Sequence, residues 1–165
     1  MRQIVLKTET VPANKLCEML EAQGIRTNHY AEVYFAHPRF SAGHPEELTV
    51  RIASLQEIGL ENGASLEEIF RRIREIGLSP CPPETGVFLR LAWRDQPESR
   101  NTVLSGTHSA PDRAVTVLSE IQEQDDGFPK GLYLRNVGGE LWLRGYICDR
   151  EYLFPGDALF AFREG

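Results

Sequence analysis

The segment of residues 64–97 constrains the fold of this chain more than any other part. It begins with Ser65 and Glu68, which form the S-x-x-E pattern of a helix capping box. Apolar residues then recur at helical spacing at Leu66, Ile69, Phe70, Ile73 and Ile76. Gly77 follows them, and glycine commonly takes the left-handed position that ends a helix. The pattern predicts one amphipathic helix across residues 65–76.

A proline-rich turn and a β-strand are predicted directly after this helix. Prolines at positions 80, 82 and 83 stiffen the chain. From Val87 to Arg94, alternate side chains of a strand share a face. One face carries Val87, Leu89, Leu91 and Trp93, and the other carries Phe88, Arg90, Ala92 and Arg94. The pair Gln96-Pro97 ends the predicted strand.

The N-terminal part of the chain gives weaker signals. Residues 2–7 alternate and predict a short strand. Pro12 suits the first turn of a helix, and Gly24 ends that helix. Residues 26–47 are loop-rich in this interpretation, and their aromatic residues fit either a strand or a helix. Alternating apolar residues predict a further strand across residues 48–55.

The last part of the chain, residues 114–165, is predicted to be mostly β-structure. Gly138-Gly139 separates two alternating runs, which is a strong signal for a two-residue hairpin. The predicted strands are Val115–Ile121, Leu132–Val137, Leu141–Ile147 and Leu159–Arg163, with Thr102–Leu104 as a short candidate within the loop-rich residues 98–113. The whole order predicts an α+β fold. We expect a largely antiparallel sheet, open or barrel-like, with two main helices packed on one side.

Length and composition indicate one soluble domain across residues 1–165. The net charge of −6 argues against a protein that neutralises nucleic-acid phosphates. No apolar run approaches the roughly 18 residues of a membrane span, and the first residues lack the pattern of a signal peptide. Three cysteines without metal-type spacing suggest reduced thiols and a cytoplasmic location.

Cys81 is the first candidate for a catalytic residue. It lies between prolines, and Glu84 follows three residues later. A cysteine nucleophile needs a thiolate and a nearby base, which His108 or one of the histidines at positions 29, 37 and 44 would supply. The alternative is a small buried residue beneath a proline turn. The histidine spacing matches no metal motif, so no metal site and no cofactor are expected.

Arg90 and Arg94 are candidates for binding a ligand or partner. They share a predicted strand face with Phe88, which suits an anionic or planar ligand where that face lines a cavity. Where the face meets solvent, it is an ordinary exposed surface. The alternative for Arg90 is an internal ion pair with Glu84 that ties the proline turn to the sheet.

Trp142, Arg144 and Tyr146 form a second candidate surface on one face of the predicted hairpin. Tryptophan, tyrosine and arginine dominate the binding energy of many interfaces. Cross-strand packing, with an arginine laid over an aromatic ring, is the alternative explanation. These three residues therefore give a possible recognition surface without a defined ligand.

A further set of features runs through the middle of the chain and continues towards its end. It comprises a helix ending in Gly-Leu, a Cys-Pro turn, a Leu-Arg-Leu strand and an Asp-Gln-Pro stop. In this chain these are Gly77-Leu78, Cys81-Pro82, Leu89-Arg90-Leu91 and Asp95-Gln96-Pro97, with LWLRGY and LFAF later. The set resembles a group of small uncharacterised bacterial proteins, over roughly the last two-thirds of the chain and most strongly over residues 59–97. The resemblance implies a compact bacterial domain and no particular activity.

Together these features favour a non-catalytic binding or interaction module for a protein or a small polar ligand. No motif has catalytic spacing, whereas the C-terminal part is rich in tryptophan, tyrosine and arginine. The alternative is a thiol-dependent hydrolase or transferase that uses Cys81, with Glu84 in support. A homodimer formed through an exposed strand is a third hypothesis. Neither a nucleic acid nor a membrane is expected as a partner.

Overall fold

A computed structural model describes residues 2–40, 46–100 and 112–165 of the chain. Its helices are α1 (Ala13–Ala22), α2 (His29–Phe35), α3 (Leu66–Glu75) and α4 (Thr85–Ala92), with a 3-10 turn at Gln56–Ile58. Its strands are β1 (Arg2–Thr8), β2 (Arg26–Thr27), β3 (Glu46–Ser54), β4 (Leu78–Ser79), β5 (Val115–Val117), β6 (Gly131–Val137), β7 (Glu140–Tyr146) and β8 (Leu159–Glu164). The predicted α+β class is confirmed.

The eight strands form one mixed sheet with the form of a half-barrel. Its strand order is β1-β3-β8-β5-β6-β7-β2, and β4 pairs with β8 beside this path. Strand β5 runs parallel to β8, and β2 runs parallel to β7. The prediction of a largely antiparallel sheet was therefore wrong. The parallel pairs arise because the chain returns to the sheet through crossovers, which a strand list alone does not reveal.

Helices pack against both faces of the sheet, so the prediction of two main helices on one side was wrong. Phe160 and Phe162 of β8 join the apolar core that contains α3, whereas Ala161 joins the core of α1, α2 and α4. Successive strand residues point to opposite faces. Helix α3 therefore covers one face, and the other three helices cover the opposite face.

Helix α3 has the ends that its sequence predicts. The Ser65 hydroxyl accepts the Glu68 N–H at 3.3 Å, and the Glu68 carboxylate accepts the Ser65 N–H at 2.8 Å. Gly77 ends the helix at φ +77°, a conformation that glycine adopts without the steric cost of a Cβ atom. Ile69 and Ile73 are fully buried. The predicted capped, amphipathic helix is confirmed.

The strand predicted at Val87–Arg94 is instead helix α4, and this is the largest correction to the fold. Both alternating sets of this segment are buried from Val87 to Arg90. A short run that is apolar on all sides fits a buried strand or a buried helix equally. The Pro82 carbonyl accepts the Thr85 N–H at 3.1 Å in the turn that leads into the helix.

The N-terminal half contains one more helix than the sequence pattern resolved. Asn28 begins helix α2, since its side-chain oxygen accepts the Ala31 N–H at 2.9 Å. The same side chain exchanges two hydrogen bonds with the backbone of Gly145 in β7, at 2.8 and 3.1 Å. Residues 26–40 are thus more ordered than the predicted loop. Asn28 positions α2 against the outer edge of β7.

The predicted hairpin is confirmed, with Val137 paired to Glu140 across Gly138-Gly139. Both glycines have positive φ, at 60° and 85°, as a two-residue turn of this kind requires. The strand predicted at residues 115–121 is shorter and ends at Val117. The short strand predicted at residues 102–104 lies outside the described residues.

Candidate functional site

A cavity of about 370 Å³ opens beside helix α3. Leu66, Phe70 and Arg74 line it from one side of the helix, because residues four apart lie on the same helix face. Parts of segment 121–130 and residues 148–150 line the other side. This volume is in the range of cavities that bind small molecules. The cavity therefore has room for a ligand of about the size of an amino acid.

The cavity has a largely buried, partly apolar floor and a charged rim. Lys130 in the floor is only 6% exposed, and Ile121 and Cys148 are half-buried. The exposed charged residues of the rim are Glu67, Arg74, Asp126, Asp149 and Arg150. Within the described parts of the chain, Glu67, Arg74, Asp126 and Arg150 make no side-chain hydrogen bond or ion pair. Their charges are therefore available to a bound molecule.

Lys130 is held in the floor by the loop that precedes β6. Its backbone N–H donates to the Tyr146 carbonyl at 2.8 Å, which extends the β6–β7 ladder. Its ammonium donates to the carbonyl oxygen of Glu123 at 2.9 Å and to that of Asp125. An ammonium has three N–H donors. One donor is left over, and no described carboxylate forms an ion pair with this buried cation.

Charged groups of the cavity affect the pKa of the Cys148 thiol. Burial raises the pKa of this thiol to about 11. The charge of Lys130 acts to lower the pKa, and the charges of Asp149 and Asp126 act to raise it. The thiol is therefore protonated at neutral pH. One cation and two anions act on the same point of the cavity wall.

Arg90, a predicted ligand-binding residue, lies inside the protein and is completely buried. Its guanidinium donates to four oxygen atoms, which belong to the side chain of Gln96 (2.6 Å) and to the backbone carbonyls of Trp93, Arg135 (3.4 Å) and Trp142 (3.4 Å). Glu84 is not among these acceptors, so the predicted Arg90–Glu84 ion pair was wrong. Burial lowers the pKa of Arg90 to about 10, and the nearby charge of Arg94 adds to this shift. Arg90 joins α4 to the β6–β7 hairpin.

Trp142 and Arg144 remain together on the outer side of β7. The guanidinium of Arg144 lies 5.0 Å from the Trp142 ring centroid, and that of Arg26 lies 5.6 Å from it. Arg144 also donates to the Tyr133 hydroxyl at 2.8 Å across the β6–β7 ladder, and Arg26 pairs with Glu140 at 3.4 Å. Each residue thus has packing partners of its own. Partner binding at this surface stays a prediction.

The last two predicted binding residues lie in other places. Arg94 is exposed and donates to the side-chain and backbone oxygens of Gln23, at 3.2 and 3.4 Å, where α1 ends. The Tyr146 hydroxyl is buried, and its ring packs edge-to-face on Phe154 at 6.2 Å. The structure therefore does not bring together the five residues that the sequence suggested as a binding set.

Cys81 lies in the interior with no exposed surface. Its N–H donates to the Leu118 carbonyl at 2.7 Å, and its Sγ lies 3.9 Å from the carbonyl oxygen of Ala161. Burial raises the pKa of this thiol to about 12. A buried and protonated thiol is typical of a structural cysteine, whereas a nucleophile needs an accessible thiolate. Glu84 is also buried, and His108 lies outside the described residues.

Buried polar residues surround this cysteine. Tyr34 is completely buried beside Ser119 and Gln122, and burial raises the pKa of its phenol. Ser119 forms a parallel bridge with Cys81 through the backbone. The thiol of Cys81 and the phenol of Tyr34 are both protonated at neutral pH.

The described ranges contain neither a cluster of metal-binding side chains nor a membrane-spanning helix. No three histidine, cysteine, aspartate or glutamate side chains in these ranges form a group that would hold a metal ion. His37 lies 2.8 Å from a Glu123 carboxylate oxygen and packs against Phe128, while His44 lies outside these ranges. No described helix has the length and apolarity needed to cross a membrane.

Comparisons with known proteins were made with the whole chain. No family model, curated protein or solved structure matches it. The resemblance to a group of small bacterial proteins therefore stays a prediction, and the function has to be argued from the geometry of the site.

Sequence reasoning missed the floor of the cavity. Lys130 is one of only three lysines in a chain whose other strong bases are all arginines, and it directly precedes the buried strand β6. A lysine at that position was the available signal. Cys148 follows the predicted hairpin and carries no local pattern. Only the fold places α3, segment 121–130 and residues 148–150 around one cavity.

Proposed function

We propose that the chain is a non-catalytic binding module that takes a small polar ligand in the cavity beside α3. One observation carries this proposal: the cavity combines a buried floor that contains Lys130 with rim charges that have no partner in the described residues. Binding sites for small molecules typically pair an apolar lining with a few polar groups. Leu66, Phe70 and Ile121 supply the apolar contacts here.

The mixture of charges argues for a ligand that carries polar groups of its own. A purely apolar molecule would bury charged rim groups without compensation, which is costly. An apolar ring or chain against Phe70, with a charged group at the rim, satisfies both parts of the lining. A non-catalytic role is supported by the thiol of Cys148 in the cavity, which is protonated at neutral pH.

Amide chemical-shift mapping with benzoate and benzylamine tests the proposal. Each probe combines an aromatic ring with a single charge. In isotope-labelled protein, we expect the shifted amides to cluster at residues 66–74, 121–130 and 146–150. Cys148→Phe, which fills the cavity, should abolish these shifts, and Cys17→Phe on α1 is the matched control that should retain them.

Two results would overturn the proposal. One is that neither probe shifts the amides around the cavity. The other is that Cys148→Phe, in protein that still melts cooperatively, leaves the shifts as they are in the wild type. In either case, a ligand site beside α3 would be ruled out.

A further inference from the structure

Two groups of opposite charge from the same loop, Lys130 and Asp126, line the cavity. The Lys130 ammonium donates to the Asp125 carbonyl oxygen, and Asp126 is the next residue along the same loop. Lys130 has an unused N–H, and Asp126 makes no hydrogen bond or ion pair with another described residue. Both charges act on the Cys148 thiol. The cavity therefore presents a donor for an anion beside an acceptor for a cation.

The whole lining is balanced in charge. Its cations are Arg74, Lys130 and Arg150, and its anions are Glu67, Asp126 and Asp149. A ligand with a large net charge would upset this balance. A ligand that carries one positive and one negative group close together would preserve it and pair with both Lys130 and Asp126.

We propose that the cavity binds a zwitterion of the α-amino acid type that has an apolar side chain. This inference rests on the proposed function and names its ligand class. The ligand carboxylate accepts the free N–H of Lys130, and the ligand ammonium donates to Asp126. The apolar side chain lies against Phe70 and Leu66. An amino acid fits because its two charged groups are attached to the same carbon atom.

Burial makes Lys130 the stronger of the two anchors. At 6% exposure its charge is shielded from water, and two carbonyl oxygens fix its position before a ligand arrives. Charge-assisted hydrogen bonds in such surroundings are stronger than neutral ones. Asp126 is exposed, so water weakens its attraction for the ligand ammonium.

Titration calorimetry with phenylalanine and two blocked analogues tests the ligand class. N-acetylphenylalanine keeps the carboxylate and lacks the cation, and phenylalaninamide keeps the cation and lacks the carboxylate. Phenylalanine should bind about tenfold more tightly than phenylalaninamide, the difference expected for one charge-assisted hydrogen bond. It should also bind more tightly than N-acetylphenylalanine.

Variants at the two anchors assign the roles. Lys130→Gln keeps N–H donors for the loop carbonyls and removes the charge. It should therefore weaken the binding of phenylalanine about tenfold and leave the affinity for phenylalaninamide unchanged. Asp126→Asn should weaken the binding of phenylalanine and of phenylalaninamide, and should leave the affinity for N-acetylphenylalanine unchanged. The second variant tests the ligand class even where the first fails to fold.

The results separate this inference from the proposed function. Equal losses of affinity for phenylalanine and phenylalaninamide in Lys130→Gln would show that the residue only holds its loop. That result would overturn the assignment of Lys130 as the anchor of the ligand carboxylate. If N-acetylphenylalanine binds as tightly as phenylalanine, the inference that the ligand is a zwitterion is overturned. Should none of the three compounds bind while benzoate or benzylamine shifts the amides of the cavity, the ligand class is wrong and the binding site stands.

Discussion

At the residue scale, Arg90 shows how a charged side chain serves the fold. It is buried and has no carboxylate partner among the described residues, and its two terminal guanidinium nitrogens donate to four oxygen atoms. Arginine suits this role because its planar guanidinium has five donors in a fixed geometry. The sequence showed that an arginine was present, but the identity of its acceptors depends on the packing of α4 against the β6–β7 hairpin.

Replacing this arginine tests its structural role. Arg90→Lys replaces the three-nitrogen guanidinium with one ammonium nitrogen, which leaves buried carbonyl oxygens without donors, and we expect the free energy of unfolding to fall by about 3 kcal/mol. Arg94→Lys, at an exposed site four residues away, should change it by less than about 0.5 kcal/mol. Urea unfolding measures both values. Equal effects would contradict the assignment.

The pair Arg100–Asp112 predicts a dependence of stability on pH. Hydrogen bonds from the Arg100 side chain, at 2.8 and 3.2 Å, and from its backbone lower the pKa of Asp112 to about 2. A carboxyl pKa that folding lowers adds stability above its ordinary value of about 4, and this stability is lost as the pH falls towards 2. Asp112→Asn should therefore lower the urea midpoint at pH 7.

The difference between Asp112→Asn and the wild type should shrink as the pH falls from about 4 towards about 2, because the carboxyl of the unfolded chain is protonated below its ordinary pKa of about 4 whereas the folded protein keeps this carboxylate charged to about 2. Asp95→Asn is the matched control, since Asp95 is exposed and lies 3.9 Å from Arg2. It should have little effect at any pH. A constant difference for Asp112→Asn across this range would contradict the prediction.

Thiol labelling tests the assignment of Cys81 as a structural residue. With methyl methanethiosulfonate at neutral pH, Cys81 should react much more slowly than Cys17 and Cys148, because it is the only one of the three that is completely buried and its pKa is raised to about 12. In urea, all three should react at similar rates. Rapid labelling of Cys81 in the folded protein would contradict this assignment and support the thiol-enzyme hypothesis.

At the scale of elements, close backbone contacts position the helices on the sheet. A Cβ atom at Gly145 of β7 would lie 2.5 Å from the Tyr30 carbonyl carbon and 2.6 Å from the Ala31 nitrogen. Helix α2 therefore begins directly on the backbone of β7. Asn28 completes this contact with its hydrogen bonds to Gly145.

Gly145→Ala should displace α2 and lower the free energy of unfolding by about 1–3 kcal/mol, as overpacking does elsewhere. Gly127→Ala is the matched control, because the nearest atom to its Cβ would be 3.7 Å away and its φ is not positive. Urea unfolding and the amide shifts of residues 29–35 measure the effect. A neutral Gly145→Ala would refute the close docking of α2.

Local sequence signals predicted those elements whose ends carry their own chemistry. The capping box at Ser65 and the Gly138-Gly139 turn gave α3 and the β6–β7 hairpin correctly. The segment of α4 has no polar face to set its period, so alternation could not separate a strand from a helix. Tertiary contacts made that choice. The sequence did not decide between a strand and a helix for the segment of α2. Its N-cap residue, Asn28, is held in place partly by hydrogen bonds to Gly145 of β7, which local sequence does not reveal.

At the scale of the whole molecule, the two cores explain where the cavity lies. Helix α3 is the one α-helix that packs on its face of the sheet among the described residues, and it covers only part of that face. The space beside it is closed by segment 121–130 and residues 148–150. The site is therefore assembled from three segments that are far apart in sequence. Such a site cannot be predicted from a local sequence pattern.

The most direct test of this account is protection of Cys148 by phenylalanine. We predict that labelling of Cys148 by methyl methanethiosulfonate slows about tenfold when free phenylalanine reaches about ten times its dissociation constant, while labelling of Cys17 keeps its rate. An unchanged rate at Cys148, or equal slowing at both cysteines, would contradict the binding of phenylalanine beside α3.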